Sequence, residues 1–111
     1  MTCSSSDAVA LFNEAVLRRS HNNLAEAAHS YACAIRVRPT FGEAHLNSAF
    51  LLSELNRPDE AIESYGVALR QREWPAQTAA AAHGNLGLLL RAAGRQREAD
   101  AAFRAAQRTQ P

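Results

Sequence analysis

Small and apolar residues recur along the chain at helical spacing, and the breaks between the apolar stretches carry turn residues. The pattern predicts six helices, at 7–20, 24–37, 42–54, 58–71, 76–92 and 96–109. Asn22-Asn23, Asn56-Arg57-Pro58 and Gly94-Arg95 part the first helix of each pair from the second, while Pro39 and Trp74-Pro75 close the first two pairs. Pro58 fits only a first helical turn, where its missing N–H is not needed. The helix pairs also repeat. Ala27, Tyr31 and Ala34 return as Ala61, Tyr65 and Ala68 at an offset of 34, then as Ala99, Phe103 and Ala106 after a further 38. An alanine, an aromatic four residues on and a second alanine three beyond share one helical face. The small residues let a neighbouring helix approach, and the ring fills the space beside them.

Three repeats at 8–41, 42–75 and 80–111 follow, with an insertion at 76–79 that amounts to about one helical turn. Residues 1–7 are expected to form a flexible leader. A chain of 111 residues holds one domain, which at this size buries a sizeable core without a metal or disulfide staple.

Composition supports helix over sheet, since 24 alanines stand against 6 valines and isoleucines. All twelve basic residues are arginines and face eleven acidic ones, so the net charge is +1. That balance argues against a protein driven by phosphate neutralisation, and no nucleic-acid partner is expected. No stretch reaches the roughly 18 apolar residues of a membrane span, and the first residues lack a signal peptide's pattern, so no membrane partner is expected either. Cys3 in the leader and Cys33 in an apolar helix show neither metal spacing nor a disulfide framework. A reducing, cytoplasmic setting is the expectation.

A helix-turn-helix unit of 34 residues with these positions resembles the tetratricopeptide repeat. The third copy carries the resemblance best, through Leu86-Gly87, Leu90, Gly94, Ala99, Phe103, Ala106 and Pro111. The second shows Ala49, Leu52, Ala61, Tyr65 and Ala68, and the first Leu11, Ala15, Ala27, Tyr31, Ala34 and Pro39. The first copy departs by placing Glu14 and Arg18 where the third has Leu86 and Leu90, a pair spaced to form an exposed ion pair. His45 and His83 take the place of Leu11, where the family often has tryptophan. Ala28, Ile35 and Val37 become Asp100, Gln107 and Thr109 in the third copy, a polar exchange that fits an array ending near Pro111. The resemblance implies an all-α, right-handed solenoid of three antiparallel helix pairs whose concave face binds peptides.

The clearest feature of that face is one asparagine per repeat, Asn13, Asn47 and Asn85. In several members of the family an asparagine at this place bonds the backbone of an extended peptide, and an amide offers the donor and acceptor that a peptide unit needs. The competing reading is that these side chains only steady turns or face solvent. Phe12 and Val16, Leu46 and Phe50, and Leu88 lie on the same face and would receive apolar side chains, or else belong to ordinary inter-repeat core. Arg19 and Arg91 would favour acidic residues nearby. A chaperone-type carboxylate clamp does not fit, because Phe12, Val16 and Ala81 replace its polar residues and only Asn47 survives.

No catalytic, metal or cofactor constellation emerges. The four histidines stand in different helices or turns, with His29 expected in solvent and His45 and His83 at the helix seams. Gly84, Gly87 and Gly94 follow no strand and make no phosphate loop. Cys33 reads as a small buried hydrophobe. The leading expectation is therefore a non-catalytic module that holds an extended peptide of a partner protein. The alternative is a self-associating structural protein, a homo-oligomer joined through the groove or a repeat edge, with Trp74 beside the insertion at the contact or simply packing the corner.

Overall fold

The computed structural model describes residues 2–108, which form six α-helices and no strand. These are α1 (Ala8–Ser20), α2 (Leu24–Val37), α3 (Gly42–Glu54), α4 (Pro58–Gln71), α5 (Ala76–Ala92) and α6 (Gln96–Arg108). The expected bounds of the four central helices coincide with these. At the start, Asp7 is the cap rather than the first helical residue: its carboxylate accepts the N–H groups of Val9 at 3.0 Å and Ala10 at 3.3 Å. The expected end of α6 at 109, with Thr109 and Pro111, lies outside the described residues.

Each first helix ends in the same way, which is why the turns repeat with the helices. Asn22, Asn56 and Gly94 hold φ values of 61°, 58° and 79°. This left-handed residue lets the next N–H reach back to the last turn: Asn23 N–H to Arg18 O at 2.8 Å, Arg57 to Leu52 O at 2.9 Å and Arg95 to Leu90 O at 2.9 Å. Glycine and asparagine tolerate that backbone best. Arg57 and Arg95 then fork onto Glu60 and Glu98, each with bonds of 2.8 and 2.7 Å.

The pairs α1/α2, α3/α4 and α5/α6 pack side by side, and α2 against α3 and α4 against α5 stack the pairs into a solenoid. The molecule measures 40 × 26 × 22 Å with a radius of gyration of 14.0 Å, slightly above the ~13 Å of a round domain this long. Ala27, Ala34, Ala61, Ala68 and Ala99 are sealed from solvent, as are the rings of Tyr31 and Tyr65. Phe12 lies edge-on to Tyr31 at 5.7 Å and stacked on Phe41 at 5.1 Å; Phe50 meets Tyr65 edge-on at 5.4 Å.

The insertion is the opening turn of α5, which has 17 residues where α1 and α3 have 13. Trp74 turns the corner before it, donating its indole N–H to Ala68 O at 2.9 Å beneath the Arg72 guanidinium. The leader, expected to be flexible, lies along α1 and α2. Ser4 donates to the Glu14 carboxylate at 2.6 Å, the Thr2 carbonyl faces His29 Nε2 at 3.1 Å, and Cys3 is joined to Cys33.

Candidate functional site

A groove of about 400 Å³ opens between the first helices, lined by Arg19 of α1, Phe50, Ser53 and Glu54 of α3, and Asn85, Leu88 and Leu89 of α5. Tyr65 of α4 reaches it from below. The tyrosine is fully buried, and its hydroxyl has no hydrogen-bond partner among the described residues. Such an orphan is costly unless something enters to satisfy it. Burial pushes the Tyr65 phenol up; the Asn85 and Ser53 side chains oppose that shift, and the Glu54 carboxylate adds to it. Neither Asn85 nor Ser53 reaches bonding geometry with the hydroxyl, and Ser53 instead donates to Ala49 O at 3.2 Å. Arg19 and Glu54 form an ion pair across the upper rim, between α1 and α3.

Four of the ten expected residues meet here: Arg19, Phe50, Asn85 and Leu88, the last half exposed at 50%. The others separate for physical reasons. Leu46 is only 4% exposed and fills the seam between the second and third repeats, so it offers nothing to a partner, contrary to expectation. Phe12 is spent largely on Tyr31 and Phe41. Val16 is 44% exposed and Asn13 is exposed, both outside the groove lining. The Arg91 guanidinium lies over Phe103, 5.5 Å from the ring centre. Asn47 and Asn85 are half-buried beside the tyrosine of the preceding repeat: Asn47 opposes the burial-driven rise of the Tyr31 phenol as Asn85 does for Tyr65. The asparagines thus face inward at least in part.

Tyr65, Ser53 and Leu89 line the groove without having been expected there, beside Glu54, which the sequence places with Arg19 on the charged fringe of that face. Tyr65 was legible as core, and core it is; only the packing reveals that its hydroxyl ends at the groove floor without a bond.

A second constellation lies where the N-terminal segment crosses α1 and α2. Cys3 and Cys33, expected to be unpaired, form a disulfide with Cα atoms 5.7 Å apart. Their separation of 30 residues hides the pairing, because it depends on the leader folding back over α2. Disulfides persist in oxidising surroundings, so the cytoplasmic expectation loses the support it drew from the cysteines. His29, expected in solvent, is half-buried with Nε2 3.6 Å from Cys33 Sγ. The i, i+4 spacing of His29 and Cys33 was the available signal. His45 does pack at its seam, with Nε2 2.8 Å from Pro39 O. The Glu14–Arg18 pair also forms, at 2.7 Å, and Arg18 reaches Glu26 as well.

Residues 80–111 match the family model described as Tetratricopeptide repeat. The two preceding helix pairs share its turn, its alanines and its aromatic. The six helices together have the fold of a three-repeat tetratricopeptide solenoid. Among solved structures, the array is similar to MamA with a TM-score of 0.81 and 19% identity, over 94% of this chain and 58% of that one. A second MamA structure gives 0.79 and 18%, over 96% and 56%. A structure titled CopN-Scc3 complex gives 0.80 and 16%, over 96% and 60%. At these identities the likeness is one of fold, and the array spans little more than half the length of those chains. No curated protein matches it. Tetratricopeptide arrays generally serve as protein–protein interaction modules, and no helix of the described residues is long and apolar enough to cross a membrane.

Proposed function

We propose that this array is a non-catalytic module that holds an extended peptide of a partner protein in the groove between α1, α3 and α5. The observation that carries the reading is the Tyr65 hydroxyl, buried without a hydrogen-bond partner among the described residues beneath a groove that sets Phe50, Leu88 and Leu89 beside Ser53, Asn85 and the Arg19–Glu54 pair. A peptide carbonyl entering there would accept its proton. Asn85 would bond the adjoining peptide unit, with Asn47 and Asn13 continuing the line, while Phe50 and Leu88 take an apolar side chain. Arg19 would exchange Glu54 for an acidic residue of the partner, since a rim ion pair of this exposure contributes little.

The test is selection of peptides from a displayed random library on the wild-type array, followed by titration of the best binder. Tyr65→Phe, which keeps the ring and removes only the hydroxyl, is expected to weaken binding about tenfold without loss of thermal stability. Leu88→Asp is expected to abolish it. Selected peptides that bind both variants as tightly as wild type would refute the groove as the site. Self-association, the alternative, is read by sedimentation equilibrium: a stable multiple of 12.0 kDa that Leu88→Asp dissociates would place a second copy in the groove.

A further inference from the structure

The cluster joining the leader to α2 has the donors of a metal site. Cys3 Sγ, Cys33 Sγ and His29 Nε2 all lie within 4.8 Å of one another. His29 and Cys33 edge a hollow of about 330 Å³ lined also by Thr2 and Ser4, which flank Cys3, and by Glu14, Arg18 and Glu26. Cys33 is 1% exposed, while Cys3 and His29 are half-buried, so the donors are largely shielded yet approachable through the hollow.

We propose that two-electron reduction turns this disulfide into a binding site for a zinc ion, held by both thiolates and the His29 imidazole. With Zn–S of about 2.3 Å and Zn–N of about 2.0 Å, tetrahedral ligands sit ~3.5–3.8 Å apart. The distance between Cys33 Sγ and His29 Nε2, 3.6 Å, already has that length. Only the two sulfurs must part, and Cys3 can move because it precedes α1 in a segment outside any helix. A dithiol supplies the two electrons and two protons, becoming a disulfide itself, and leaves two thiols. The zinc ion then displaces both thiol protons, and the two thiolates balance its charge. His29 Nε2 gives up the Thr2 carbonyl for the metal, its ring proton moving to Nδ1. Glu14 is held by Ser4 and Arg18, and Glu26 by Arg18, so neither carboxylate is free, and water completes the shell. Two thiolates and an imidazole suit zinc or cobalt rather than magnesium or calcium. The leader is thereby fastened to α2 in both redox states, covalently in one and through the ion in the other.

The test titrates Co²⁺ into the full chain after reduction with a phosphine, which takes up water oxygen as phosphine oxide and competes little for metal. The reduced chain is expected to develop thiolate-to-cobalt charge-transfer absorption and tetrahedral d–d bands that saturate near one ion per chain and vanish when Zn²⁺ is added. The oxidised chain is expected to show neither. Cys3→Ser, which leaves the helices untouched by circular dichroism, and His29→Gln are each expected to weaken Co²⁺ binding at least about tenfold. A reduced chain that absorbs no more than the oxidised one, saturation near half an ion per chain, or variants that bind as tightly as wild type would each overturn the proposal.

Discussion

Gly84 and Gly87 lie three residues apart in α5, and the same substitution at the two positions should act in opposite directions. Replacing a glycine inside a helix by alanine gains about 1 kcal/mol of helix propensity where the methyl group has room. At Gly84 a Cβ would meet nothing within 4 Å, so Gly84→Ala is expected to stabilise by about that amount. At Gly87 it would stand 2.6, 2.8 and 2.9 Å from three carbons of the Phe103 ring. To restore ordinary contact at 3.4 Å the nearest carbon must retreat by about 0.8 Å, and the half-buried ring can do so only by leaving its present seat against α5 or by pushing the helices apart. Overpacking of that kind costs about 1–3 kcal/mol, so the propensity gain is cancelled or reversed and Gly87→Ala is expected to destabilise by about 1 kcal/mol. Urea denaturation followed by circular dichroism measures both variants. A double-mutant cycle locates the cause: in a Phe103→Leu background Gly87→Ala should regain most of the lost stability. If Gly87→Ala stabilises the unaltered chain as much as Gly84→Ala does, the argument that the glycine is there to seat the ring is wrong.

Three further outcomes are expected. Gly94→Ala, which forces a Cβ into φ 79°, should cost about 1 kcal/mol in the same denaturation assay, although nothing crowds the site. Reducing the disulfide without metal frees a loop of 30 residues and should lower stability by ~3–4 kcal/mol in the chain-entropy view, seen as a fall in Tm that Cys33→Ser reproduces. Burial, aided by the Arg108 charge, lowers the His83 pKa below its ordinary 6.5, so the folded state disfavours protonation. Stability should be full above pH 6.5 and decline as the pH falls through the window beneath it, and His83→Gln should remove that part of the slope of Tm against pH.

The array was legible before any coordinates because its signals are local and threefold. Helix ends are set by Asn22, Asn56 and Gly94, whose backbone preference acts within a turn, and by prolines that cannot continue a helix. The recurring alanines and aromatic mark one face by spacing alone. The candidate site was legible only in part. Position on a helix face told that Phe50, Asn85 and Leu88 share a side, but not that Leu46 is consumed by the seam or that Phe12 stacks on Phe41. Those outcomes depend on how far neighbouring helices close over a side chain, which spacing within one helix cannot express.

Periodicity and turn chemistry in the sequence by themselves determined six helices, their pairing and their order, since each contact that builds the solenoid joins neighbours along the chain. Tertiary structure decided the rest. The Tyr65 hydroxyl goes without a bond among the described residues because α3 and α5 bring Ser53 and Asn85 beside it without hydrogen-bond geometry. Cys3, His29 and Cys33 meet because the leader folds back across 30 residues. Both are products of long-range closure, whose geometry no local pattern encodes.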